Sequence, residues 1–219
     1  MRRGSSRSNH GPTVRRLALA CCMASSTAVL AGQTLAQKVA SVPSASELVA
    51  STRQAKPIPA WAEFCKHYRT ECTVDPSQPA TVALTATTWS TILEVNRRVN
   101  KSVRSLPDRN HWGIADRWDL AEDGSGDCED FQLLKRKLLA DAGLPRRAMR
   151  MTVVIDEVDD GHAVLMIRTD RGDFILDNKT NAVLPWSETG YIFVKREGQD
   201  STAWVSLGGA LSPVATANR

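Results

Sequence analysis

The chain has 219 residues, 42% of them hydrophobic and 24% charged, enough for one domain with a sizeable core. Its formal charge of +4 comes from the first 36 residues, which hold Arg2, Arg3, Arg7, Arg15 and Arg16 and no acid; the other 183 carry 23 basic residues against 24 acidic ones. That balance gives no footing for nucleic-acid binding, and no second long apolar run follows the first.

Residues 1–36 read as a secretory signal peptide. A basic start precedes a mostly apolar, uncharged run over 17–30, and Thr34 and Ala36 place small residues where a signal peptidase reads. The competing reading, a membrane anchor, needs roughly 20 apolar residues, more than the run supplies. A lipid-anchored Cys21 is disfavoured because the apolar run continues past it. The expected product is periplasmic or secreted. Residues 37–59, rich in Ala, Ser and Val with Pro43, Pro57 and Pro59, read as a flexible arm, 60–207 as the folded domain and 208–219 as a flexible tail.

Residues 60–68 predict a short helix that carries Cys65, followed by Cys72. A disulfide can close that spacing. The alternative, a metal pair, has only His67 nearby and no second cysteine pair. Trp89, Ile92, Val95, Val99 and Val103 recur at three- and four-residue steps and predict a helix over 88–103. A loop rich in Asp, Gly and Trp fills 106–126. A second helix is expected over 128–142, capped by Asp127 and stopped by Gly143 and Pro145. Strands are expected over 149–155, 162–169, 174–177, 191–195 and 204–207, with Asp170 to Asp173 turning a hairpin. Helices first and strands later predict an α+β fold, with the Cys128 helix packed on an antiparallel sheet.

Cys21 and Cys22 fall in the leader and Cys65 can pair with Cys72, which leaves Cys128 alone at a helix start in a chain bound for an oxidising compartment. A catalytic thiol needs a field favouring thiolate, a base, and a group that orients the base. The helix dipole and unpaired N–H groups supply the first and can hold an oxyanion. Of His67, His111 and His162, only His162 opens a rigid apolar strand, and Asp177 ends the next strand across the hairpin. They are the candidate base and orienter, with Asn178 as the fallback orienter.

Three stretches, Gly126-Asp127-Cys128-Glu129-Asp130-Phe131, Gly161-His162-Ala163-Val164-Leu165 and Ile175-Leu176-Asp177-Asn178, resemble the motifs of the bacterial transglutaminase-like cysteine proteinases. The surroundings are also similar: Phe64-Cys65, Glu71-Cys72, Val95-Asn96-Arg97-Arg98-Val99-Asn100, His111-Trp112-Gly113 ahead of Trp118, and Gly190-Tyr191 through Trp204-Val205. The resemblance implies a papain-like or transglutaminase-like core with Cys128, His162 and Asp177 as catalytic triad. The best-understood branch of that family is a calcium-dependent periplasmic protease that releases large adhesins and is sequestered by an inner-membrane cyclic-di-GMP receptor. Carried over, its calcium ligands fall on Asp127 and Glu129, and its partners would be an adhesin substrate and such a receptor. No organic cofactor is implied.

Elementary electrostatics supports a cation. Asp127, Glu129 and Asp130 beside a thiol raise its pKa unless a hard cation with oxygen ligands cancels their field; Asp123 could add a ligand. The bland alternative makes Asp127 a helix cap and Glu129 a solvated first-turn acid. Trp112 and Trp118 read as packing residues, either of which could lend an indole N–H to an oxyanion. A cysteine endopeptidase leads. A transglutaminase or amidase with the same triad, or a non-catalytic binding domain, stand as alternatives.

Overall fold

The computed structural model describes residues 41–211. The signal-peptide reading of 1–36 lies outside those residues, as do 37–40 and 212–219. In chain order the elements are strand β1 (Arg53–Ala55), helices α1 (Pro59–His67), α2 (Arg69–Cys72) and α3 (Ala86–Ser102), strand β2 (Arg104–Ser105), helix α4 (Asp108–His111), strand β3 (Ser125–Gly126), helix α5 (Cys128–Asp141), and strands β4 (Met149–Ile155), β5 (Gly161–Thr169), β6 (Gly172–Leu176), β7 (Leu184–Pro185), β8 (Ile192–Glu197) and β9 (Trp204–Leu211). The strands other than β2 and β3 form one antiparallel sheet in the order β1-β9-β8-β4-β5-β6-β7, while β2 and β3 pair in parallel. This is the expected α+β arrangement, with α1 to α5 ahead of every strand of the large sheet except β1, and α5 against β5 and α3. Among the described residues no helix is long and apolar enough to cross a membrane.

Helix α3 begins two residues before the expected start at 88 because Thr85 caps it. Thr85 Oγ1 accepts from the Thr88 N–H at 3.2 Å, and Thr88 Oγ1 accepts from the Thr85 N–H at 2.8 Å. Trp89, Ile92, Val95 and Val99 then face the core, the stripe the spacing predicts. The continuous apolar run of β5 has a simple cause. Leu165 and Ile167 pack with the helices, whereas Val164 and Met166 join a second cluster with Val49, Trp186, Tyr191 and Phe193 on the other face. A strand covered on both sides cannot alternate apolar with polar.

For its described part, residues 41–59, the expected loose arm is instead tied to the sheet by that second cover. Strand β1 pairs with β9, Ala55 opposite Trp204. Val49 is 2% exposed, and its N–H donates to Asp173 Oδ2 at 2.8 Å. The Ser46 N–H donates to the Arg171 carbonyl at 2.7 Å. Gly172 has φ +112°, and a Cβ there would lie 2.7 Å from the Ser46 carbonyl oxygen, so the hairpin glycine also makes room for the arm. The tail is corrected too: β9 runs to Leu211, past the expected boundary at 207.

Cys65 and Cys72 form a disulfide with Cα atoms 5.5 Å apart, joining α1 to α2. The same hairpin is held from inside by Glu197 of β8. Glu197 Oε1 accepts from the Trp61 indole N–H at 2.6 Å, and Oε2 accepts from Arg136 of α5 at 2.5 Å and from the Met151 N–H at 2.9 Å. Arg136 also donates to the Glu71 carbonyl at 3.1 Å. Burial raises the Glu197 carboxyl, but the Arg136 and Arg150 charges outweigh it and hold the group below its usual value. Glu197→Ala should therefore destabilise by about 3–5 kcal/mol, because it strands a buried guanidinium. Urea unfolding measures this, and a change under about 1 kcal/mol would mean the network contributes little.

Candidate active site

Helix α5 presents Cys128 at its first position. The entry is built by the flanking motif: the Asp127 N–H donates to Asp130 Oδ2 at 3.2 Å, and Asp130 Oδ1 accepts from the Asp119 N–H at 2.7 Å. A Cβ on Gly126 would sit 2.6 Å from Asp130 Oδ2, so this reach of Asp130 demands glycine at 126. Cys128 is the free cysteine among the described residues. It lines a cleft of about 150 Å³ with Ile58, Trp118, Glu129, Val153, His162 and Ala163.

The surroundings of the thiol disfavour its thiolate form. Burial pushes it well above its ordinary range, the Glu129 charge adds to that, and Sγ donates to Glu129 Oε2 at 3.1 Å. The expected help from the helix dipole is outweighed by burial and by an adjacent carboxylate.

His162, at the start of β5, and Asp177, just beyond β6, are brought together by the antiparallel register that sets Leu165 opposite Leu176. His162 Nε2 lies 2.9 Å from Asp177 Oδ1. Asp177 is otherwise fully engaged: Oδ1 accepts from the Lys179 N–H at 3.0 Å and Oδ2 from the Tyr191 hydroxyl at 2.6 Å. Burial raises its carboxyl, yet the His162 hydrogen bond and charge, Lys179 and Tyr191 hold it below the usual range. Its carbonyl accepts from Asn100 Nδ2 at 2.9 Å, and Asn96 Nδ2 donates to the Asn181 carbonyl at 3.2 Å. The two asparagines of α3 thus clamp the loop that carries Asp177, a role the sequence signalled only through the Asn-Arg-Arg-Val-Asn stretch. Asn178 does not meet His162; it accepts from Gln132 Nε2 of α5 at 3.3 Å.

The acids beside the thiol gather more partners than the sequence reading found. Asp108, Asp127 and Asp130 bring carboxylate oxygens within 4.8 Å of one another, as do Asp108, Asp116 and Glu129. Asp127 and Glu129 therefore fall in different groups that share Asp108. Asp108 Oδ1 and Asp127 Oδ1 are buried without a hydrogen-bond partner among the described residues. Burial, with the Asp127 charge, pushes Glu129 up to about 9, and burial pushes Asp130 up to about 8. Asp123 is not in either group. Its Oδ2 meets His111 Nε2 at 2.7 Å, and its Oδ1 accepts from the Ser125 N–H at 3.0 Å. Of the two tryptophans, Trp118 lines the cleft, its indole N–H donating to Asp116 at 3.0 Å. Trp112 is exposed and stacks on His111 with Arg117 3.9 Å from its ring centre.

A thiol sharing a cleft with an imidazole held by a carboxylate can exchange a proton and attack a carbonyl, which is the working arrangement of cysteine peptidases, and this chain is one. Residues 50–211 match the family described as bacterial transglutaminase-like cysteine proteinase, and the chain belongs to it. Among solved structures it is similar to Legionella pneumophila LapG, at 24% identity over 54% of this chain and 68% of that one, with a TM-score of 0.46. It is likewise similar to the calcium-bound form (23%, 57% and 73%, TM-score 0.48) and to the EGTA-treated form (26%, 54% and 67%, TM-score 0.46). No curated protein matches.

Proposed function

We propose that the chain is an exported endopeptidase that cleaves a protein substrate through Cys128, His162 and Asp177. The observation that carries this is the shared cleft: the unpaired thiol and His162 line it together, while Asp177 occupies Nε2. That leaves Nδ1 as the nitrogen that takes the Sγ proton. The thiolate then attacks the peptide carbonyl, Nδ1–H returns the proton to the leaving amine, and water attacks the thioester to regenerate the thiol. The first N–H groups of α5 are the candidate donors to the oxyanion, since the Trp118 indole is taken by Asp116.

The acidic groups fit a calcium ion. The donors are all hard carboxylate oxygens, and two of them are buried without partners among the described residues. Asp108, which both groups share, would hold it, with Asp127 from one group and Glu129 and Asp116 from the other drawn toward it; the ion would supply positive charge beside the thiol. The family resemblance extends the proposal to a large surface adhesin as substrate, with calcium required, and to a cyclic-di-GMP receptor as partner.

The test is to incubate a surface-protein fraction with wild type, His162→Ala and Asp177→Asn and to sequence the new N-termini. Wild type should generate them, His162→Ala should generate none, and Asp177→Asn should be reduced less severely. Full activity in His162→Ala would refute the base assignment. Incorporation of a dansylated amine without new termini would favour the transglutaminase reading.

A further inference from the structure

Helix α5 carries a second functional-looking group two turns below the nucleophile. Lys135 lies seven residues after Cys128, on the same helical face, and is 0% exposed. Its Nζ has no hydrogen-bond partner among the described residues. A fully buried ammonium without a counter-ion is costly, and a core that needed only bulk there would carry Leu or Met. Burial pulls Lys135 down to about 7, and the charge that acts against this is that of Asp177.

The helical layer that carries Lys135 is tied to the loop that carries Asp177. Gln132, one turn earlier on α5, donates to Asn178, and Asn96 and Asn100 of the facing helix donate to the Asp177, Thr180 and Asn181 carbonyls. Three acceptors on side chains that hold this loop, Asn96 Oδ1, Asn100 Oδ1 and Gln132 Oε1, are also buried without partners among the described residues. An ammonium has three donors and no acceptor, so it is the chemical complement of three such oxygens, which it does not touch directly and would reach through buried water. The other groups facing Asp177 are His162 of β5, Tyr191 ahead of β8 and the Lys179 N–H; the Lys179 ammonium is turned away, 2.6 Å from Asp156.

We propose that Lys135 is a positioning residue whose buried ammonium anchors the Asp177–Asn181 loop from beneath and so keeps Asp177 gripping His162. The proposal rests on the triad reading, and one experiment separates the two. Ring nitrogens of His162 are followed by NMR in protein labelled with 15N-histidine, for wild type, Asp177→Asn, Lys135→Met and Lys135→Gln, with folding checked by circular dichroism. At a pH where the ring carries a single proton, wild type should hold that proton on Nε2, the nitrogen that meets Asp177. Asp177→Asn should lose that preference; if it does not, the triad reading fails. Lys135→Met should remain folded, since an apolar side chain of similar length suits the site, yet show mixed tautomers. A folded Lys135→Met that keeps the wild-type tautomer while Asp177→Asn loses it overturns the positioning role. If Lys135→Met does not fold, Lys135→Gln carries the same reading. Loss of fold in both would make Lys135 a core residue and overturn the proposal as well.

Discussion

Cys128→Ala should abolish cleavage, a loss of roughly 10⁴-fold or more, while the protein stays folded. The size follows from what remains without the sulfur. His162 and Asp177 can still polarise a water, and the helix N-terminus can still meet an oxyanion, but no acyl-enzyme forms and the reaction keeps its full hydrolytic barrier. The fold has little stake in the thiol. Cys128 is partly exposed and its polar contact is with Glu129, so removing Sγ should cost about 1 kcal/mol at most. Cys128→Ser should be nearly as inactive, because a hydroxyl in this acidic setting is far harder to deprotonate than a thiol. Differential scanning calorimetry alongside the N-terminal sequencing assay separates the two effects. Turnover retained in purified Cys128→Ala would end the assignment of the nucleophile.

The parts of the molecule that were legible in the sequence are those written locally. The α3 stripe, the α5 boundaries and the span of β4 follow from periodicity and punctuation over a dozen residues. The meeting of His162 with Asp177 was legible because a tight hairpin links their strands, so register is decided nearby. What escaped depends on pairing across long separations. β1 is three residues with no alternation of its own, and becomes a strand only because β9 offers it an edge. The arm around Val49 looks loose until Asp173, well over a hundred residues away, supplies its hydrogen bond. Asp108 and Asp116 sit in a loop that reads as solvated; α4 and the 114–119 segment fold them back against α5, which no local pattern announces. Asn96 and Asn100 carry no local signal beyond their likeness to the family's motif, and Lys135 follows no pattern that separates it from the other basic residues of α5. The burial of Asn96 and Lys135 arises only once α3, α5 and the Asp177 loop have packed.

Chelation should make the protein progressively less stable as pH rises from about 4 to 9, and calcium should reverse this, most strongly at the alkaline end. Glu129 and Asp130 have ordinary values of 4.5 and 3.8 and are raised to about 9 and about 8 in the fold. Between those limits the folded state binds more protons than the unfolded state, so stability falls as pH rises. Their contribution is whole below pH 4 and is lost as pH passes through the folded values. A cation inverts this by favouring the ionised carboxylates and by binding the folded state alone. At a hundredfold excess over its dissociation constant it adds about 2.7 kcal/mol, or roughly 5–10 °C in melting temperature for a domain of this size. Melting curves at pH 5, 7 and 8.5, in EGTA and in calcium, should therefore diverge with pH. Asp127→Ala with Glu129→Ala should abolish the divergence, and Asp108→Asn, which touches both acidic groups, should weaken it more than Asp123→Asn, whose carboxylate is held by His111 instead. Wild type that melts identically in EGTA and calcium at every pH would return Asp127 to a helix cap and Glu129 to a buried, protonated acid, and would leave the thiol, imidazole and carboxylate to work without a metal.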